Sequence, residues 1–349
     1  MSIQIHQTCR LGNTFSSSNM SFSFGLPDSS LWSIPKFDTS VPPSPFQNEK
    51  LVKIFVASMK VSTPLTIAIL YFTSVHFINP IVVRRQLRKS NLSDKEGEKL
   101  SDKEMKRLKP APYKIATFGL FKLFVLLHNI FLCIYSVWTF IGMLNSFSRT
   151  ISQIQLKTNS DSMLVNFVHA VCDLESGVFQ QSSGNKNLAL FGWWFYISKF
   201  YEVVDTIIIL LKGRPSSLLQ SYHHAGAMMC MWSGIRYQSP PIWIFVVFNS
   251  FIHSLMYFYF TLACLKIRVP TFIKRALTSM QISQFVLGGS LAIFHAFVWY
   301  SDVTGQKFSG CINTSDQALP LLINVAYLTP LTMLFAAFYI ESYIKRKAA

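Results

Sequence analysis

Residues 218–232 read LLQSYHHAGAMMCMW, an apolar run interrupted by Gln220, His223 and His224. Imidazole is the side chain that changes charge near neutral pH, and in its neutral form it is both a base and a nucleophile. Polar groups at membrane depth are costly, which marks an adjacent histidine pair in such a run as a candidate functional site. A pair near a helix end, bonded to neighbouring carbonyls, is the plainer alternative. What surrounds the run decides between them.

Half of the 349 residues are hydrophobic, 15% are aromatic and only 14% are charged, with a mean hydropathy of +0.33. This is too apolar for an ordinary soluble domain. Seven apolar stretches, at about 61–83, 115–144, 189–211, 217–234, 241–265, 276–300 and 318–342, approach the roughly 20 residues needed to cross a bilayer. The expected fold class is an all-α polytopic membrane protein with seven transmembrane helices. Residues 1–59 are rich in Ser, Pro and Phe and lack a sustained period. They read as a disordered tail without a cleavable leader, ahead of a helical domain over 60–345.

A net charge of +16 raises the question of nucleic acid, but the placement of the charge answers it. If the linker 84–114 is cytosolic, so are the loops holding Lys212 and Arg214, then Lys266, Arg268, Lys274 and Arg275, and finally the C-terminus. That side collects twenty basic residues, against five in the opposite loops. Such asymmetry is an orientation signal, and no nucleic-acid partner is expected. It also puts the loops of Cys172 and Cys311 on the non-cytosolic side, where thiols oxidise. A Cys172–Cys311 bridge is therefore expected.

Four consecutive stretches carry polar stripes. Lys199, Glu202, Asp205 and Thr206 share one helical face. Gln220, His223 and His224 follow, then Asn249, His253 and Tyr257 at i, i+4, i+8, then Thr278, Gln281 and Gln284. One polar residue in a spanning helix is often packing glue between helices. Four successive stripes argue for one shared cavity. A di-iron desaturase or hydroxylase needs more clustered ligands than His223, His224 and His253, since His6, His76, His128, His169 and His295 fall outside any box spacing. A transporter does not obviously need a histidine pair beside Lys199, Glu202 and Asp205. Acyl transfer needs a nucleophile or base, oxyanion contacts and an apolar slot, and these residues fit that description.

KFYEVVDT (199–206), QSYHH (220–224), NSFIHSLMYFYF (249–260) and TSMQISQ (278–284) resemble, in order, the four signature boxes of the fatty acid elongase family. The resemblance spans roughly 60–345. One departure is plain: the second box begins with Gln220 where its pattern has histidine. Some elongases of polyunsaturated chains carry glutamine there too, which hints at such a substrate. The resemblance implies a very-long-chain 3-oxoacyl-CoA synthase of the endoplasmic reticulum membrane, an acyltransferase condensing acyl-CoA with malonyl-CoA and releasing CO2 and CoA. It implies six of seven helices ringed around an acyl tunnel, no metal and no resident cofactor. Partners implied are membrane lipid and the ketoreductase, dehydratase and enoyl reductase of the cycle, with homo-oligomerisation left open. Lys345 and Lys347, third and fifth from the end of 345–349, match a dilysine retrieval signal, although a short basic tail also serves as a cytosolic anchor.

The expected nucleophile is His223, with His253 beside it. His224, Asn249 and Gln220 are assigned to positioning or oxyanion contacts, and Asp205 and Glu202 to fixing a histidine tautomer. Lys199, Lys212, Arg214, Lys266, Arg268, Lys274 and Arg275 sit where CoA phosphates can approach, though the loop charges equally serve topology. Cys230, seven residues past His223, is the rival nucleophile. A thiolate buried in an apolar helix without a cation is disfavoured, so it is expected to be dispensable.

Overall fold

The structure is a computed structural model that describes residues 20–36, 40–158, 160–179, 187–302 and 307–345, the side chains of 102 and 103 aside. Leaving out one-turn helices, the elements run α1 (Glu49–Ser58), α2 (Ser62–Lys89), α3 (Gly119–Thr158), α4 (Met163–Cys172), α5 (Leu188–Tyr201), α6 (Val203–Leu211), α7 (Leu218–Arg236), α8 (Ile242–Cys264), α9 (Thr271–Phe294) and α10 (Ser315–Tyr339). Three short strands, β1 (Phe22–Phe24), β2 (Val298–Ser301) and β3 (Phe308–Gly310), form an antiparallel sheet in that order, with Ser23 opposite Trp299 and Tyr300 opposite Ser309.

The chain is a polytopic helical membrane protein. Among the described residues, five helical segments are long and apolar enough to cross a bilayer: Ser62–Lys89, Gly119–Thr158, Ile242–Cys264, Thr271–Phe297 and Ser315–Ile344. The other two apolar stretches are helical but differ for a chemical reason. The third is broken at Glu202 into the 14-residue α5 and the 9-residue α6. The fourth, α7, has 19 residues, but Gln220, Ser221, His223 and His224 dilute its hydropathy.

The two ends of the bundle are chemically distinct. At one end the basic linker folds back on itself: Arg85 donates to the Ala111 and Pro112 carbonyls and Lys89 to that of Pro110. Ala111 and Tyr113 N–H donate to the Gly213 and Leu211 carbonyls. Gly213 has a φ of 71°, and an added Cβ would strike the Ala111 backbone, so the turn after α6 requires glycine. Lys106 also pairs with Glu341 across this end.

The opposite end holds the three-stranded sheet and a disulfide between Cys172 and Cys311, as the loop placement predicted. It also corrects the reading of 1–59 as a disordered tail. Residues 1–19 lie outside the described residues, but β1 belongs to the sheet and α1 is packed into the bundle. Phe55 and Met59 are buried in the main core with Trp193, Tyr196 and Trp232. Trp193 Nε1 donates to Ser58 Oγ at 2.9 Å, Tyr196 to the Ser58 carbonyl at 3.0 Å and Trp232 Nε1 to the Met59 carbonyl at 2.9 Å. Buried indole and phenol groups need partners, and this part of the tail supplies them. The C-terminal signal around Lys347 lies outside the described residues.

The disulfide closes a loop with a sequence separation of 139, which the chain-entropy model values at about 5 kcal/mol. Cys172→Ser is expected to lower the melting temperature in detergent, and reductant should lower that of the wild type to a similar degree. Equal melting temperatures for variant and wild type would show that the sheet and α1 hold this end without the bridge.

Candidate active site

The break at Glu202 positions the site. Its N–H caps α5 by donating to the Ser198 carbonyl, and Asp205 N–H bonds back to the Glu202 carbonyl, so Lys199 ends one helix and Asp205 begins the next. Lys199 is 2% exposed and Glu202 also 2%. The ammonium donates to Glu202 Oε1 at 2.7 Å and to Asn249 Oδ1 at 3.0 Å, and it lies 4.0 Å from the centre of the Phe195 ring. A buried ion pair persists only when the remaining donors and acceptors are met. Asn249 meets part of that need.

Two imidazoles face the same carboxylate. His253 Nδ1 lies 3.7 Å from Glu202 Oε1 and His224 Nδ1 lies 3.9 Å from Glu202 Oε2. Those distances exceed hydrogen bonds, and both His224 Nδ1 and Glu202 Oε2 are buried without a hydrogen-bond partner. The Gln220 amide nitrogen lies 2.9 Å from His224 Nε2 and donates at 3.4 Å to Thr206 Oγ1. An amide NH2 only donates, so His224 Nε2 accepts and its proton sits on Nδ1, facing Glu202. Thr206 is in turn bonded to Tyr71 of α2 at 2.8 Å. Gln220 thus occupies a position from which a neutral histidine could also donate.

His223 points the other way, into a cavity among the helices. Its walls come from α5 (Phe195, Lys199), α7 (Ala227, Cys230, Met231), α8 (Ile244, Phe245, Phe248, Asn249), α9 (Gln284, Phe285, Gly288) and α10 (Asn324, Tyr327, Leu328). The lining is mostly apolar with a few convergent polar groups, the usual character of a small-molecule site. His223 Nδ1 is 2.8 Å from the Tyr327 hydroxyl, and its ring centre is 6.3 Å from that of His253.

Several expectations shift on this geometry. Asp205 is not a partner of the three imidazoles. It accepts from Tyr257 at 2.6 Å through Oδ2 and contacts His128 Nε2 at 2.8 Å through Oδ1. His128 Nδ1 is 3.2 Å from the Tyr201 hydroxyl. Sequence spacing set His128 aside, yet it lies on the buried stripe of α3 with Phe121, Val125 and Leu132, and that periodicity was its only signal. Asn249 serves Lys199 rather than an imidazole. Gln284 reaches the cavity wall, whereas Gln281 contacts Met256 Sδ at 3.6 Å and Thr278 bonds at the basic end to the Lys274 carbonyl. Lys212, Arg214, Lys266, Arg268 and Arg275 are exposed and Lys274 half-buried; none lines the cavity. Tyr71, Tyr201, Asn324 and Tyr327 were not anticipated, because isolated tyrosines and asparagines in apolar helices carry no spacing signal. Among the described residues no group of three His, Cys, Asp or Glu side chains is placed to hold a metal ion.

A family model described as "ELO: GNS1/SUR4 family" matches residues 56–349. The chain is 28% identical over 223 residues to "Fatty acid elongase 2" of Trypanosoma brucei brucei, covering 63% of this chain and 74% of that one. It is 30% identical over 211 residues to "Fatty acid elongase sre1" of Dictyostelium discoideum, covering 58% and 74%. It is 30% identical over 163 residues to "Very long chain fatty acid elongase 3" of Homo sapiens, covering 47% and 57%. No solved structure matches the chain.

Removing one member of a buried ion pair leaves an uncompensated charge and costs about 3–5 kcal/mol. Lys199→Met is therefore expected to lower the melting temperature sharply in detergent. The double change Lys199→Met, Glu202→Leu should recover part of that loss. A double variant less stable than Lys199→Met would show that Glu202 is stabilised chiefly by groups other than Lys199.

Proposed function

The chain belongs to the ELO (GNS1/SUR4) family, and from that premise we propose that it is the condensing enzyme of fatty acid elongation. In this reading it is an acyltransferase, a 3-oxoacyl-CoA synthase that joins a long-chain acyl-CoA to malonyl-CoA. The products are 3-oxoacyl-CoA, CO2 and CoA. The observation that carries it is His223 on the wall of an apolar cavity, with His253 beside it and a buried, charge-paired Lys199 on the same wall. An acyl chain fits the apolar lining, and the imidazole meets the thioester where the lining turns polar.

The mechanism divides one difficult transfer into two easier steps through a covalent intermediate. His223 attacks the acyl-CoA carbonyl, CoA departs, and an acyl-imidazole retains the chain. Malonyl-CoA then loses CO2, and the resulting carbanion takes the acyl group. We assign His253, 6.3 Å away between ring centres, to polarising the second substrate's carbonyl. Gln220 holds the His224 imidazole, and Tyr257 with His128 fixes Asp205. Lys212, Arg214, Lys266, Arg268, Lys274 and Arg275 belong to the basic end, and we assign them to CoA phosphates approaching from that side.

The same reading places the protein in the endoplasmic reticulum membrane with seven spans, the α5–α6 pair and α7 counted among them, and with its C-terminus cytosolic. The oxidised, sheet-bearing end would then be luminal, in keeping with where disulfides form. The 3-oxo product requires a ketoreductase, a dehydratase and an enoyl reductase to complete a cycle. A polyunsaturated substrate is supported by Gln220 alone.

Expression in a host without long polyunsaturated products, followed by gas chromatography of fed fatty acids, is expected to reveal chains two carbons longer. His223→Ala should abolish them while the protein still inserts and folds. Absence of elongation across a broad panel, or full activity in the variant, overturns the reading.

Gln220 gives a separate expectation. Gln220→His can still donate to His224 Nε2 and should keep substantial activity with an altered acyl preference. Gln220→Leu leaves buried partners unmet, a cost of about 1–3 kcal/mol, and should lose far more. If Leu matches Gln across a panel of acyl-CoAs, Gln220 takes no part in the site.

A further inference from the structure

We propose that Tyr327 locks His223 in the Nδ1–H tautomer and so makes Nε2 the only nitrogen able to attack; this rests on the reading of His223 as the nucleophile. The Tyr327 hydroxyl stands 3.0 Å from the His223 backbone carbonyl and 2.8 Å from its Nδ1. A phenol carries one proton and a carbonyl can only accept, so both contacts are hydrogen bonds only when the phenol donates to the carbonyl. The short contact to Nδ1 then requires the imidazole to be the donor. Nδ1 holds the ring's proton, and the lone pair is left on Nε2.

The tyrosine is itself tightly held. Its ring packs over Gly226, where an added Cβ would strike it, and stacks on Tyr222 at 5.6 Å with an interplanar angle of 26°. The Tyr222 hydroxyl donates to the Tyr327 carbonyl at 3.3 Å. Tyr327 and His223 both line the cavity, so the hydroxyl fixes the ring from its Nδ1 edge.

With His223 read as the nucleophile, this tautomer supplies the attacking lone pair. Nε2 donates its lone pair to the thioester carbon, and the C–S bond breaks with its electrons going to sulfur. The acylated ring is a cation, with Nδ1–H still bonded to Tyr327, and the CoA thiolate is the matching anion. The carbanion left after malonyl-CoA loses CO2 bonds to the acyl carbon, and the C–N electrons return to Nε2. The ring ends as it began, and the proton on Nδ1 never leaves. Tyr327 is thus a positioning residue, acting through His223.

The test uses the purified full chain in detergent with a long-chain acyl-CoA and no malonyl-CoA. It follows the burst of free CoA and the acyl adduct on the His223 peptide by mass spectrometry. Tyr327→Phe keeps the ring and loses only the hydroxyl. It should slow adduct formation at saturating acyl-CoA by about 10–100-fold, by analogy with the loss of partners that orient metal-ligating imidazoles, with the half-saturating concentration little changed. Gly226→Ala, which pushes the ring aside, should slow it too and serves if the Phe variant does not fold. Tyr222→Phe should stay close to wild type. An unchanged rate in Tyr327→Phe or Gly226→Ala overturns the lock, as does an equal loss in Tyr222→Phe, which would make the effect one of packing. No adduct on His223 in the wild type removes the nucleophile assignment itself.

Discussion

A charged amine and a carboxylate, each about 2% exposed, meet in the interior of a helix bundle made for a bilayer, and much of the site follows from keeping them satisfied. Separating an ammonium from its partner at this depth is prohibitive, so Lys199 and Glu202 must travel together, and a three-residue spacing across a helix break brings them to 2.7 Å. Asn249 completes the amine from α8. His224 of α7 and His253 of α8 come to rest at 3.7–3.9 Å from the carboxylate. The ion pair is thus the hinge point of α5, α6, α7 and α8. Glu202 Oε2 and His224 Nδ1 are left buried without a hydrogen-bond partner.

Two carboxylates sit close in sequence, Glu202 and Asp205, and the fold gives them separate company. Glu202 faces Lys199 and the imidazoles of α7 and α8. Asp205, one turn on, is held by Tyr257 and His128. A shared site for both would have set like charges against one another. The separation also explains why α3, which lies outside the cavity wall, carries a buried histidine: His128 belongs to the carboxylate's support and not to the cavity.

The ends of the bundle obey different chemistry. The basic end is organised by arginine and lysine donating to backbone carbonyls, which serves the linker's own polar groups while leaving other cations exposed. The other end is closed by strands, a disulfide and α1, whose Ser58 and Met59 supply acceptors for Trp193, Tyr196 and Trp232. The lack of a sustained period in the first 59 residues hid this role, because the apolar anchors Phe55 and Met59 look like any others until their pockets are formed.

The sequence alone determined the membrane class, the sorting of basic residues to one end, the Cys172–Cys311 bridge and the polar stripes of Lys199, Glu202, His223, His224 and His253. Each of these is written in local composition or short-range spacing: apolar length, Lys and Arg counts by loop, and polar residues repeating at helical intervals. Only the tertiary structure decided which nitrogen faces which oxygen. His223 and His224 are adjacent, yet one turns to Tyr327 some hundred residues away and the other to Gln220 and Glu202. Successive residues on a helix point about 100° apart, and what each meets depends on which helix lies in that direction. Tyr327, His128 and Tyr71 were silent for the same reason. A hydrogen bond between distant helices leaves no periodic trace in either one.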